Sequence, residues 1–334
     1  MDNTKRLSQI ISGFAQKRIA VWGDIILDEY LYGTTRRISR EAPVLILSYK
    51  NNEFSVGGGG NSLLNLKSLG ADPVPVGVVG EDEAGKMILR ILKDMKIDTK
   101  HILIEKDYAT PVKTRILAGE ETTRKQQILR IDREAKVPDK TILNQRLQKS
   151  LEEIRKQSEA LIISDYDYFT VKAEVFRRII PAYRKARIPV ALDSRFRLLS
   201  FKGVSVITPN EPEVEEALKW RLNDDEQTVK KAGRALLKQA EAECILITRG
   251  SQGMALFEKN KSPFWIPIFG TKDIVDVTGA GDTVISVLSL ALASGASYRE
   301  AAKLANYAGG LAVMKKGTAT LTPEELLKAV ESEN

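Results

Sequence analysis

Eight residues, Asp276-Val277-Thr278-Gly279-Ala280-Gly281-Asp282-Thr283, combine the types that phosphoryl transfer to an alcohol requires. Gly279, Ala280 and Gly281 let backbone N–H groups converge on an anion, with no Cβ at either glycine. The apolar run from Val284 to Ala293 reads as the helix whose positive end they open. Asp282, at the mouth of that helix, is placed to take a proton from an attacking hydroxyl. An ordinary helix start preceded by glycines has the same composition, so the octet needs partners elsewhere in the chain.

Those partners have to come from strand ends. Polar groups follow buried β-branched runs at Asp24 after strand 18–22, Ser164-Asp165 after 160–163, Asp193-Ser194 after 188–192, Thr208-Pro209-Asn210 after 204–207, and Thr248-Arg249-Gly250 after 243–247. The periodicity between them predicts helices over 5–16, 62–69, 82–95, 141–156, 171–185, 211–219 and 226–240. This is the rhythm of a mainly parallel sheet with helices on both faces, in which strand carboxyl ends form the ligand crevice. Segments of about 30–56 and 110–132 are poor helix material and read as a small β-sheet covering the main body. The expectation is a single α/β domain over residues 1–334, since 43% hydrophobic content in 334 residues supports a large core.

Several residues carry two readings. Asp24 and Asp28 have the chemistry to grip vicinal sugar hydroxyls, or to close an Asx-turn. Gly57 to Gly60 and Asn61 permit close approach by a ligand, or form a hinge. Asn210 and Glu213 stand at capping-box spacing before a helix, and their oxygens also suit magnesium-bound water. The run Gly80-Glu81-Asp82-Glu83-Ala84-Gly85-Lys86-Met87 has the spacing of a phosphate loop, but Met87 has no hydroxyl and three acids would repel a triphosphate.

Composition narrows the classes further. Cys244 is the only cysteine and sits in an apolar run, which rules out intrachain disulfides. His101 is the sole histidine, so histidine-rich metal sites and a histidine-based triad are excluded as the main mechanism. The +7 charge is dispersed, and no nucleic-acid-binding module accompanies it. No apolar run reaches bilayer-spanning length, and a cytoplasmic location is the expectation.

On Gly57-Gly58, the Asn210 and Glu213 pair, Thr248-Arg249-Gly250 and the Asp282 octet, residues 18–327 resemble the ribokinase-like, or PfkB-type, carbohydrate kinases. The resemblance implies a three-layer α/β/α domain with a small β-sheet lid. It also implies that Asp24, Gly57, Gly58 and Asn61 face sugar, and that Gly279 to Gly281 stabilise the transferring phosphoryl while Asp282 acts as base. ATP would lie toward Thr248, Arg249, Gly250, Gly253, Thr278 and Asn306, with Mg2+ held near Asn210 and Glu213 through water and a monovalent cation as a possible addition.

A closer resemblance is to the bacterial heptose-7-phosphate kinase group. Five segments carry it: Gly23 to Tyr30, Arg37 to Val44, Lys113-Thr114-Arg115, Gln127 to Asp132, and Asp276 to Thr283. It implies phosphorylation of the anomeric hydroxyl of D-glycero-D-manno-heptose 7-phosphate, with Asp28, Arg37, Lys113, Arg115, Gln127, Arg130, Asp165 and Arg195 as further substrate contacts. It also implies a homodimer formed through the lid. The nucleotidyltransferase half of the fused members is not expected here, so only the kinase reaction is. Departures at Gly59-Gly60 (expected to widen the pocket floor), at Asp167-Tyr168-Phe169 and at Ser194-Arg195 leave two alternatives open. These are a kinase for another sugar or sugar phosphate, and a non-catalytic sugar-binding regulator.

Overall fold

The computed structural model describes residues 3–119, 125–223, 225–270, 276–315, 317 and 319–332. The chain opens with helix α1 (Asn3–Ser12) and strand β1 (Arg18–Gly23), then leaves the main body through β2 (Ile25–Ile38) and β3 (Leu45–Gly58). It returns through α2 (Gly59–Ser68), β4 (Asp72–Gly80), α3 (Glu83–Asp94) and β5 (Ile102–Glu105), and leaves again through β6 (Val112–Gly119) and β7 (Gln126–Arg133). Alternation follows through α4 (Thr141–Arg155), β8 (Ala160–Asp165), α5 (Ala173–Lys185), β9 (Val190–Ser194) and β10 (Val206–Ile207). After α6 (Glu211–Leu218) and α7 (Glu226–Gln239) come β11 (Cys244–Thr248), β12 (Met254–Glu258) and β13 (Phe264–Ile266), then α8 (Ala280–Ala293), α9 (Tyr298–Val313) and α10 (Pro323–Glu331).

Nine strands form one sheet in the order β13-β12-β11-β10-β9-β8-β1-β4-β5. The pairs from β11 to β5 are parallel, and β12 and β13 close one edge antiparallel. Every residue of β8 is buried, which requires a helical layer on each face. Val21 and Ile162 point into one core with Leu63, Ile285, Leu288 and Leu304. Their neighbours Trp22 and Ile163 point into the other, with Leu147, Leu151, Phe176 and Leu236. Adjacent strand residues thus feed opposite layers, and each large apolar side chain so buried contributes about 1.5–3 kcal/mol. The result is a ribokinase-like α/β/α architecture.

β3, β2, β6 and β7 form a separate four-stranded sheet, with β2 antiparallel to β3 and parallel to β6. It is rooted by the buried residues Ile25 to Asp28 and Val56 to Gly58 and becomes exposed outward. β2 begins directly after Asp24, earlier than the expected start of the small sheet, because pairing with β3 continues to Ile25 and Gly58. Residues 120–124 of the expected sheet lie outside the described residues.

Other expectations shift in detail. α8 starts at Ala280, four residues before the apolar run, because Gly279 takes a left-handed φ of 78° and turns the chain into the helix. The discounted phosphate loop is a capped helix start: the Asp82 carboxylate accepts from the N–H of Gly85 at 2.7 Å and of Thr110 at 2.8 Å. Among the described residues no helix is long and apolar enough to cross a membrane. Cys244 is buried.

Candidate active site

The carboxyl ends of β8 and β9, the root of the small sheet, the start of α6 and the N-terminus of α8 enclose a cavity of about 380 Å³. Asp28, Gly57, Gly58, Asn61, Lys113, Arg115, Asp165, Arg195, Asn210, Glu213, Thr278, Gly279 and Asp282 all line it. Two further lining residues, Tyr166 and Asp193, had no assigned role from the sequence. Their signal was present, since each follows or ends a buried strand, but an aromatic after an aspartate gives no chemistry until its hydroxyl has a partner.

Asp282 lies in the first turn of α8 and is 5% exposed. Asn61 Nδ2 donates to its Oδ2 at 2.9 Å, and the Tyr166 hydroxyl donates to the carboxylate at 3.2 and 3.4 Å. Burial lifts its pKa from 3.8 to about 7, against these hydrogen bonds, which favour the charged form. A carboxylate poised there is suited to accept a proton near neutral pH. Burial also pushes Asp193 well above the carboxylate range, with Glu213, Asp282 and Asp165 adding repulsion. Lys113, half-buried with its ammonium 5.5 Å from the Tyr166 ring centre, is lowered by desolvation. Arg115 pairs with Asp28 at 2.6 Å. Gly57 allows that pair: a Cβ there would come within 2.3 Å of Asp28 Oδ2.

Asp24 corrects one expectation. Its carboxylate is fully buried and accepts from the backbone N–H groups of Tyr166 at 2.8 Å, Tyr168 at 3.1 Å and Thr170 at 2.9 Å. It faces the 166–170 loop and not the cavity, because those three donors are buried and need an acceptor. Burial, then Asp165, raises it to about 6. Asp165 lines the cavity, yet its oxygens are engaged by Ser194 Oγ at 2.6 Å and by Arg197. Gly59 and Gly60 do not line the cavity, so they do not widen its floor as expected, and a Cβ on Gly60 would meet Val56 at 2.7 Å, inside the packed root.

The cofactor set divides. Asn210, Thr278 and Gly279 reach the cavity, whereas Thr248, Arg249, Gly250, Gly253, Gly281 and Asn306 do not line it, and neither does Ala280 of the expected anion hole. Arg249 is turned inward, with Nε bonded to Glu211 Oε1 at 2.8 Å and its guanidinium 5.3 Å from the Trp265 ring centre, so its side chain ties down the β11–β12 turn. Gly253 is required sterically, since a Cβ would lie 2.1 Å from the Ile266 carbonyl oxygen. Asn306 Nδ2 donates to the Pro267 carbonyl at 2.9 Å. Asn210 and Glu213 make the full capping box: Asn210 N–H donates to Glu213 Oε2 and Glu213 N–H to Asn210 Oδ1, each at 2.9 Å. Both remain on the cavity wall, and all their free donors to a cation are oxygens, as magnesium requires.

Besides Asp24, three residues of the substrate set stand apart. Gln127 lines a neighbouring cavity of about 880 Å³ that shares Arg115 and Thr278 with the first. Arg130 is exposed on β7 and paired with Asp132 at 2.9 Å. Arg37 is exposed toward the far end of β2 and lines neither cavity. His101 lies in another small cavity with Asp98, Lys100 and Glu153.

A parallel sheet whose strand ends meet a glycine-opened helix and a carboxylate poised near neutrality defines an α/β phosphotransferase. Residues 16–325 match the pfkB family carbohydrate kinase description, and the chain belongs to that family of ATP-dependent sugar kinases. It is 38% identical over 327 residues to the bifunctional protein HldE of Haemophilus influenzae strain PittEE, covering 98% of this chain and 66% of that protein. It is 37% identical over 308 residues to the bifunctional protein HldE of Geobacter metallireducens, covering 92% of this chain and 61% of the relative. The chain thus spans just under two thirds of the length of these relatives. In fold it is similar to Arabidopsis thaliana ribokinase complexed with ribose and ATP, with a TM-score of 0.72 at 21% identity over 95% of this chain and 99% of that one. Similarity to Escherichia coli phosphofructokinase-2 in complex with potassium has a TM-score of 0.73 at 19% identity, over 95% and 99% of the two chains.

Proposed function

We propose that this protein transfers the γ-phosphoryl group of ATP to the anomeric hydroxyl of D-glycero-D-manno-heptose 7-phosphate, giving the 1,7-bisphosphate, with Asp282 as general base. The observation that carries the reading is the buried Asp282 carboxylate, raised to about 7, at the glycine-opened N-terminus of α8. Asp282 takes the acceptor proton as its oxygen approaches phosphorus. The N–H groups of Gly279 to Gly281 stabilise charge on the equatorial oxygens. Such a base contributes about 10²–10⁴-fold and an anion hole about 10²–10³-fold.

Asn61 and the Asp28–Arg115 pair orient the sugar. Lys113 and Arg195 supply the positive wall for its distal phosphate, which supports a phosphorylated acceptor over a free sugar. Asn210 and Glu213 would hold Mg2+ through water, and the ion neutralises phosphate oxygens when bound. A monovalent cation would be a further ligand of the enzyme, since the Escherichia coli phosphofructokinase-2 that shares this fold is described in complex with potassium.

The small sheet exposes Ile38, Leu45, Tyr49, Phe54, Leu129 and Ile131, which favours pairing with a second copy through this lid. The reaction belongs in the cytoplasm, as part of lipopolysaccharide precursor synthesis. A product assay with magnesium-ATP tests the substrate, using free and phosphorylated heptoses, hexoses and ribose. Transfer to the anomeric carbon of heptose 7-phosphate supports the proposal. Transfer only to another sugar selects a different kinase, and tight sugar binding without turnover selects a regulator.

A further inference from the structure

The loop from Tyr166 to Thr170 is held harder than a simple connection needs. Its N–H groups at 166, 168 and 170 all end on the buried Asp24 carboxylate. Two of its residues lie in the left-handed region, Asp167 at φ 68° and Phe169 at φ 67°, which is a rare state for a bulky side chain. The surroundings over-determine that state. Phe169 is gripped by Lys136 and Arg197, each 4.4 Å from its ring centre, and Asp167 pairs with the same two cations at 3.2 and 3.3 Å. Backbone strain of this kind persists where a neighbouring group must be held in place.

The group so held is the Tyr166 hydroxyl, which spans both oxygens of Asp282 at 3.2 and 3.4 Å while Asn61 takes one of them at 2.9 Å. A carboxylate offers about four acceptor positions. Two donors from the protein side therefore leave acceptor capacity toward the cavity. We propose that Tyr166 is a positioning residue for the base, fixing the Asp282 carboxylate so that its open lone pairs face the acceptor hydroxyl. The proposal rests on Asp282 being the base.

Other charged groups share the cavity with this carboxylate: Asp28 on β2, Lys113 and Arg115 on β6, Asp165 on β8, Asp193 on β9, Arg195 beyond it, and Glu213 on α6. A hydrogen-bond donor is separable from these charges by a neutral replacement. The test is carbon NMR on protein labelled with 13C at aspartate carboxylates, without substrate, with Asp282→Asn identifying the Asp282 resonance.

Tyr166→Phe should move that titration upward by about one pH unit, the tenfold that loss of a hydrogen bond to a charged group implies. With magnesium-ATP and heptose 7-phosphate, the acid limb of kcat should move the same way, and kcat should fall about tenfold with KM for ATP unchanged. Placing 3-fluorotyrosine at Tyr166, a stronger donor of nearly the same size, should move the titration downward, and it decides the matter if the phenylalanine variant does not fold. A titration unmoved in both variants overturns the role of Tyr166 even when Asp282→Asn is inactive. Full turnover by Asp282→Asn overturns the base assignment instead.

Discussion

Asp282→Asn should make a less active and more stable protein, and the size of both effects follows from the burial of one carboxylate. In the unfolded chain the group titrates at its ordinary 3.8, and in the folded chain at about 7. Above pH 7 the folded state holds a charge that burial disfavours. As pH falls from 7 toward 3.8 the folded state takes up a proton before the unfolded one, so this penalty fades and is gone near pH 4. The rise corresponds to on the order of 2–4 kcal/mol after allowing for relaxation around a buried charge. Asparagine keeps the shape and an acceptor for Asn61 and Tyr166 but carries no charge. Its advantage should therefore be near zero at pH 4 and full at pH 8. Thermal unfolding of both proteins at pH 4, 6 and 8 reads this directly, with a Tm gain of about 3–6 °C expected at pH 8 for a chain of 334 residues. Turnover should fall by about 10²–10⁴-fold while ATP binding survives. Equal stability at every pH would refute the burial argument, and retained turnover would refute the base.

Three other perturbations separate the parts of the site. Gly281→Ala should fold normally, because a Cβ there meets open space, yet lower kcat by about 10²-fold by intruding on the transferring phosphoryl; an unaltered kcat on steady-state assay would remove Gly281 from the anion hole. Asp24→Ala should cost about 3 kcal/mol or more in denaturant unfolding, since it orphans three buried N–H donors; a variant of native stability would show that the loop has other acceptors. Lys113→Met should raise KM for a phosphorylated sugar about tenfold and leave KM for ATP alone, and an equal rise for both substrates would argue against a distal-phosphate contact.

The sheet was legible in the sequence because continuous apolar strands such as Ala160 to Ile163 admit few readings when helical periods separate them. Asp282 and its glycines were legible for a similar reason, as spacing alone puts a carboxylate at the mouth of an apolar helix. The direction of a side chain was not. Asp24 and Asp28 share a strand end in sequence, but the turn after Gly23 sends one inward to three N–H donors and the other into the cavity. The family resemblance set Arg249 toward the nucleotide, and only the packing shows its side chain turned inward onto Trp265 with Nε bonded to Glu211. Tyr166 could not be found from spacing, because its partner Asp282 lies 116 residues away. Gly60 misled in the opposite sense: its bareness serves the packing of Val56 and not the ligand.

The most direct test of the central claim is 31P NMR of the purified protein with magnesium-ATP and D-glycero-D-manno-heptose 7-phosphate. The account predicts stoichiometric ADP and a new anomeric phosphate resonance, both abolished by Asp282→Asn. ADP release without a sugar phosphate product, or the same product from the asparagine variant at an undiminished rate, would contradict it.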